Sequence, residues 1–349
     1  MRDFSEAPFL VIWEVTQACD LACVHCRASA EPARNPFELN TQQGYELLDE
    51  IRRFGDPLMV FTGGDPLKRP DLMQLIRHST GIGLRTTVTP SATPLLTREA
   101  ILDFKNAGVA RMAISMDGPD AATHDGFRRV TGSFERTLYA LDTARDLGLE
   151  TQVNTTVTRR TVERLPEIAR IVADKGAKLW SVFFLVTTGR AAAEDDLTAE
   201  EYEEVFKFLY ETARAAPFEI KTTEAQHYRR YVAQQRKRDG GQVAARTAGA
   251  GINDGKGFVF VSHTGNIYPS GFLPVSAGNI RHDSLVDTYR NSPLFLTLRD
   301  SGRLGGKCGK CEFRNLCGGS RSRAFALTGD FLAEESRCTF QPRIMTQSC

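Results

Sequence analysis

The sequence predicts an α/β protein: an incomplete or full barrel, or an open doubly wound sheet, followed by a small cysteine-rich α+β unit. Two observations carry this. Short apolar strands alternate with longer amphipathic helices over residues 9–186, the pattern of consecutive βα units. The cysteines then gather at the two ends of the chain, with none between Cys26 and Cys308. A chain of 349 residues suggests about two domains, at roughly 150 residues each. Hydrophobic residues make up 41% and charged residues 25%, enough apolar surface to build a core and exclude a disordered chain.

Lys and Arg total 44 against 43 Asp and Glu, a formal net charge of +1 that gives no global field for nucleic acid or a membrane surface. No apolar run approaches the roughly 18 residues of a membrane span. The first residues, Met1 to Glu6, lead into a strand without the apolar stretch of a signal peptide, so a cytoplasmic protein is expected.

Strands are predicted at 9–16, 58–62, 84–88, 110–116, 150–157 and 179–186, several of them nearly continuous apolar runs suited to parallel pairing. Helices are predicted near 41–54, 70–80, 97–107, 133–147 and 161–175. Thr41, Thr97 and Ser133 stand at N-cap positions, and Gly108 and Gly148 just past helix ends. In such folds ligands sit at the carboxyl ends of the strands. Residues 9–190 form this core. Residues 191–257 read as a helical bridging region. It begins with a capping box at Thr198-Ala199-Glu200-Glu201, continues through a basic stretch at 227–238, and ends in a Gly/Ala-rich segment at 240–257 expected to be a mobile loop. Residues 258–349 begin with a β-hairpin around His263-Thr264-Gly265-Asn266. The Gly- and Cys-rich tail beyond has little core and needs a staple, which four cysteines can hold.

Without a secretory signal, clustered cysteines at short spacing point to metal ligation rather than disulfides. Cys19, Cys23 and Cys26 follow the first strand as C-x3-C-x2-C. Three thiolates this close suit an iron–sulfur cube with one iron left open, since a structural zinc site wants four ligands. His25, beside Cys26, is poorly placed to be the fourth ligand. Zinc or buried thiols is the competing reading. At the other end Cys308, Cys311, Cys317 and Cys338 supply four thiolates for a second site, an iron–sulfur cluster or a zinc knuckle. Cys349 reads as a free exposed thiol.

Further signals fall at strand ends. Gly63-Gly64-Asp65 after the second strand lets a ligand approach the backbone beside a carboxylate that suits an amino group, or is an ordinary turn. Ser115 and Asp117 share one face at the end of the fourth strand and suit a ribose diol. Asn154 and Thr156 repeat the arrangement on the fifth.

These residues resemble the radical S-adenosylmethionine (SAM) superfamily, over about 9–190 and 258–340. The resemblance implies a partial (β/α)6 barrel and an enzyme that cleaves SAM reductively to a 5′-deoxyadenosyl radical, which takes hydrogen from an unactivated C–H bond. Cys19, Cys23 and Cys26 would hold a [4Fe-4S] cluster whose open iron binds the methionine end of SAM. Gly63-Gly64-Asp65 resembles the family's Gly-Gly-Glu motif, one methylene shorter. Ser115, Asp117 and Asn154 would meet the ribose and carboxylate, and the backbone near Leu185 the adenine. His25 occupies the aromatic position before the third cysteine. The tail, with Gly318-Gly319-Ser320-Arg321 and the hairpin ending at Ser270, resembles the SPASM extension that carries auxiliary clusters. Ser270 and Ser320 stand where that extension often has cysteine, so one auxiliary [4Fe-4S] cluster is expected, from Cys308, Cys311, Cys317 and Cys338.

The segments 268–274 and 317–321 resemble the branch that modifies tetrapyrrole side chains in alternative haem and haem d1 synthesis. Peptide modification is the alternative. With 18 residues before Cys19, a fused peptide reader is not expected, leaving a separate partner protein. A non-catalytic cluster scaffold is the reading from outside enzymology. Flavodoxin or ferredoxin is the expected electron donor. Arg190, just past the sixth strand, and His227 are candidates for binding substrate. The rest of 227–238, with Arg229 and Arg230, is expected to be mainly a solvated helix face. Trp180, Phe183 and Phe184 are expected in the core.

Overall fold

A computed structural model describes residues 3–240 and 251–343. Most of the Gly/Ala-rich segment expected to be mobile, and Cys349, lie outside the described residues.

Six strands alternate with helices in the predicted order: β1 (Leu10–Glu14), β2 (Leu58–Thr62), β3 (Arg85–Val88), β4 (Arg111–Ser115), β5 (Thr151–Val157) and β6 (Leu179–Phe184). The helices α1 (Thr41–Arg52), α2 (Leu72–Gly81), α3 (Arg98–Asn106), α4 (Ala121–Arg128), α5 (Ser133–Asp146) and α6 (Leu165–Asp174) run between them. Neighbouring strands pair in parallel and in chain order. A doubly wound sheet reverses its strand order partway, and this one does not, so the barrel reading stands.

The local reasons are the expected ones, with small shifts. Thr97 accepts from the Ala100 N–H at the start of α3, and Gly108 and Gly148 take positive φ just past α3 and α5. Asn40 rather than Thr41 caps α1, with Gln43 closing a capping box. Gly132 in the left-handed region, not Ser133, precedes α5. Sequence patterning missed α4, whose eight residues carry too short an apolar stripe to stand out.

The main core lies between the sheet and these helices. Val11, Trp13, Met59, Phe61, Met112, Ile114, Val153, Trp180 and Val182 pack against Leu47, Leu75, Phe104, Leu141 and Ile168. The alternate residues of each strand face the barrel interior, and most are only half-buried there. The prediction of strands covered on both faces therefore holds for the helix side alone. Phe184 and Trp180 are core, while Phe183 faces inward and stays half-buried.

Two parallel strands extend the sheet beyond residues 9–190. After α7 (Ala199–Ala215), started by the expected Thr198–Glu201 capping box, β7 (Glu219–Thr223) pairs with β6. At the opposite edge β8 (Phe258–Val261) pairs with β1, so the hairpin it makes with β9 (Asn266–Tyr268) grows from the barrel sheet, and β10 (Gly278–Asn279) ends it. Helix α8 (Tyr228–Arg238) is solvated only toward its end: His227, Tyr228, Arg230 and Ala233 are buried against α7, while Lys237 and Arg238 are exposed. The tail continues through α9 (Leu285–Asn291), α10 (Pro293–Arg299), α11 (Gly306–Lys310) and α12 (Arg321–Thr328).

Arg323 on α12 fastens this tail to the barrel. Its guanidinium donates to the Leu185 carbonyl at 3.1 and 3.3 Å and to the Glu224 carbonyl at 2.6 Å, and pairs with Glu335 at 3.0 Å. It also lies 5.0 Å from the Tyr202 ring centroid. Both charged side chains are 1% exposed. Burial alone would raise the Glu335 carboxyl, but Arg323, His227 and two backbone N–H donors hold it down at about 2. Removing one partner of such a pair leaves a buried charge unmatched. Glu335→Ala should cost roughly 3–5 kcal/mol in denaturant unfolding. Because the folded carboxyl is depressed, Glu335 stabilises above its ordinary value of 4.5, and that contribution should fade as pH drops toward about 2. A variant of unchanged stability and unchanged acid slope would remove this tie from the account.

Candidate functional site

The first site grows from the carboxyl end of β1. The β1–β2 pairing continues past both strands, with the Gly64 N–H donating to the Thr16 carbonyl at 2.8 Å and Asp65 to Ala18 at 2.6 Å. A Cβ at Gly64 would sit 2.4 Å from the Ala18 carbonyl oxygen, which is why glycine stands there. This pairing fixes the start of the loop that carries the three cysteines.

Each of those sulfurs receives one N–H donor. Leu21 N–H points at Cys19 Sγ (3.3 Å), Ala30 N–H at Cys26 Sγ (3.4 Å), and Arg128 Nη1 at Cys23 Sγ (3.5 Å). Cys19 and Cys23 are buried and Cys26 half-buried, and burial pushes the Cys19 thiol up to about 11. A thiolate here needs a bound cation, while the donors are already aimed at it.

Arg128 was invisible in the sequence. It sits at the end of α4, beneath the cysteine loop, and forms a buried ion pair with Asp117. The Thr156 N–H donates to the other Asp117 carboxylate oxygen at 2.6 Å, and the Asp117 N–H donates to His124 Nδ1 at 3.1 Å. Both oxygens of Asp117 are therefore engaged within the protein. Burial opposes its ionisation, but Arg128 holds the carboxyl below the ordinary range. His25 stacks on Phe127 with centroids 4.5 Å apart, and burial lowers it to about 3, so it is neutral.

Asp65 likewise turns inward. Thr93 Oγ1 donates to it at 2.7 Å, and the Leu67 and Ser91 N–H groups at 3.1 and 3.3 Å. It is fully buried, which raises its carboxyl despite these donors. Ser91 Oγ also bonds the Gly64 carbonyl at 2.9 Å and approaches Cys19 Sγ at 3.6 Å, tying the glycine motif to the thiols.

Ser115 and Asn154 are register partners on β4 and β5, and both face the interior. Gln152 donates to Asn154 Oδ1 at 2.7 Å. Leu185 is buried, with its carbonyl held by Arg323. Arg190 straps the cysteine loop: its N–H donates to the Cys26 carbonyl, Nε to Cys23 and Nη1 to Ala30, each at 3.0 Å. One Arg190 nitrogen, Nη2, is buried without a partner. Gly189 makes this close approach possible, since a Cβ would meet the Cys26 carbonyl at 2.3 Å. The structure therefore puts Arg190 against the loop backbone rather than free at the barrel mouth.

The second site lies in the tail. Cys308, Cys311, Cys317 and Cys338 line one cavity, together with His227, Arg230, Glu335 and Phe340. Here too N–H groups face the sulfurs: Glu335 to Cys308 (3.2 Å), Phe313 to Cys311 (3.4 Å) and Gly319 to Cys317 (3.3 Å), with Arg230 Nη2 3.9 Å from Cys338. Burial raises all four thiols, Cys311 to about 11 and Cys317 to about 12. Among the described residues no three His, Cys, Asp or Glu side chains are grouped as ligands of a single metal ion. His227 thus belongs to this cavity rather than to the barrel interior. It is fully buried, stacks 5.5 Å from Tyr202, and has neither ring nitrogen bonded. Ser270 and Ser320, at the missing cysteine positions, instead bond Ser322 (3.4 Å) and Glu224 (2.5 Å).

Residues 13–179 match the radical SAM superfamily pattern. The chain is 42% identical over 350 residues to an AdoMet-dependent heme synthase of Oleidesulfovibrio alaskensis, covering 98% of this chain and 90% of that protein. It is 39% identical to the AdoMet-dependent heme synthase of Methanosarcina barkeri, covering 98% and 99%. More distant relatives include the Fe-coproporphyrin III synthase of Methanosarcina barkeri, at 27% identity over 94% and 87%, and the PqqA peptide cyclase of Rhodopseudomonas palustris, at 28% over 96% and 88%. In fold, it superposes on Streptococcus suis SuiB bound to S-adenosylmethionine with a TM-score of 0.77 at 16% identity, covering 96% of this chain and 78% of that one. A parallel barrel with three thiols after its first strand, matched along nearly its whole length by such relatives, makes this chain an enzyme of the radical SAM superfamily.

Proposed function

We propose that the chain forms haem from an iron tetrapyrrole, using one SAM-binding and one auxiliary [4Fe-4S] cluster. The observation that carries this is the 42% identity to a heme synthase across both cysteine regions. Methanosarcina barkeri has relatives named for Fe-coproporphyrin III synthesis and for haem synthesis, so the product of one reaction is a reasonable substrate for the other. The peptide-modifying alternative rests on relatives near 28% identity and on fold alone.

In this reading Cys19, Cys23 and Cys26 hold the first cluster, leaving one iron for SAM, and Cys308, Cys311, Cys317 and Cys338 hold the second. The N–H donors at the sulfurs fit both groups, because a cluster's thiolate charge needs them and they raise its reduction potential. When bound, the first cluster and SAM would supply one-electron reductive cleavage of SAM and, with it, hydrogen-atom abstraction from a substrate side chain. The chain's own part is to orient and to shield. Gly63, Gly64, Ser115 and Asn154 approach SAM, Asp65 braces the glycine motif, and Arg128 couples Cys23 to Asp117. His25, neutral and stacked on Phe127, packs the cysteine loop against the end of α4. The backbone near Leu185 meets the adenine. No helix among the described residues is long and apolar enough to cross a membrane, and we place the enzyme in the cytoplasm with a flavodoxin or ferredoxin as donor.

Anaerobically reconstituted protein should carry about eight iron and eight sulfide per chain. Stoichiometric zinc would reject the clusters. With dithionite, SAM and Fe-coproporphyrin III it should yield haem, read by mass spectrometry. Failure to form haem alongside modification of a co-encoded peptide would favour the alternative. Cys23→Ala should abolish 5′-deoxyadenosine formation. Cys311→Ala should keep uncoupled cleavage and lose haem, whereas retained haem formation would reduce the second cluster to a staple.

A further inference from the structure

Strand register extends the interior polar row beyond the residues already assigned. Ser115 pairs with Asn154, Asn154 with Ser181, and Ser181 with Lys221 on β7. Alternation puts all four on the inner face, since Ile114, Val153, Trp180 and Val182 occupy the helix-side core. Ser181 Oγ is buried there without a partner.

Lys221 is exposed, on the inner face of β7 at the edge of the sheet, and its ammonium is lowered to about 8 by the surrounding protein and by like charge. Its charged neighbours are Arg229 and Arg111, both positive. Arg229, from the first turn of α8, has a buried Nη1 with no partner, and its charge is felt by Lys256 and by Cys317. Among the described residues no carboxylate pairs with Lys221, Arg229 or Lys256; Arg111 alone has one, Glu150 at 2.9 Å. Above this row Phe183 projects inward and meets Phe272 with centroids 6.5 Å apart, both rings half-buried. Cations that share no carboxylate partner leave room for a ligand to supply the negative charge.

We propose that Lys221 and Arg229 anchor the carboxylate side chains of the substrate inside the barrel, with Lys256 beside them and Phe183 and Phe272 against its apolar ring. The inference rests on the haem reading, because a flat apolar macrocycle edged with carboxylates is what this combination complements. It also sets the anchor on the side of the barrel toward the auxiliary thiols, since Arg229 and Cys317 feel each other's charge.

The test is a titration of the reconstituted holoenzyme with Fe-coproporphyrin III, followed by Soret absorbance, for wild type, Lys221→Met, Lys221→Arg and Arg229→Gln. Lys221→Met and Arg229→Gln should each weaken binding by about tenfold or more, and Lys221→Arg should restore most of it. A porphyrin with methylated carboxylates should bind weakly and equally to all four proteins. Without substrate, Lys221→Met should melt no lower than wild type, because it relieves like-charge repulsion. Unchanged affinity in both charge-removing variants, or a lower melting temperature in Lys221→Met, overturns the anchor and leaves the haem reading standing. A wild type that binds neither porphyrin overturns both.

Discussion

Burying a thiol works against its ionisation, and this chain buries or half-buries two groups of them. Burial raises the Cys19 thiol and all four tail thiols, and a bound cation would favour their thiolates. The fold answers with N–H donors aimed at sulfur before any metal enters. Three arise from one local turn, in which the residue two positions on donates back: Leu21 to Cys19, Phe313 to Cys311 and Gly319 to Cys317. Ala30 donates to Cys26 from four residues on, and the others come from distant segments, such as Arg128 at Cys23 and Glu335 at Cys308, so the sites are complete only when the tertiary structure is.

The same constraint explains how the two ends of the chain hold together. Arg323 bonds the ends of β6 and β7 while pairing with Glu335, whose N–H reaches Cys308. Arg190 reaches from beyond β6 back to the cysteine loop. Each arginine satisfies carbonyls that irregular backbone leaves open, which lets loops rather than regular elements carry the thiols. Between the two sites lies the barrel interior, polar on one row and aromatic above it.

Much of this was legible in sequence. The βα alternation, the cap at Thr97 and the glycines after α3 and α5 appear where local chemistry puts them, because their causes lie within a few residues. The cysteines declared themselves through spacing. Arg128, Arg323 and Lys221 did not, since their importance comes from partners more than a hundred residues away or from strand register. For the same reason the sequence points His227 and Arg190 toward substrate, while the structure has one lining the tail cavity and the other strapping a loop. A basic residue's sequence neighbours do not reveal which surface its helix will bury. Ser270 and Ser320 depart from the cysteine pattern in the sequence, and in the structure they bond Ser322 and Glu224.

Electron paramagnetic resonance of the dithionite-reduced protein, with and without SAM, tests the central claim most directly. Two [4Fe-4S]⁺ signals are expected, one of which shifts when SAM binds its open iron while the other stays fixed. A single signal, or two that both ignore SAM, contradicts the account.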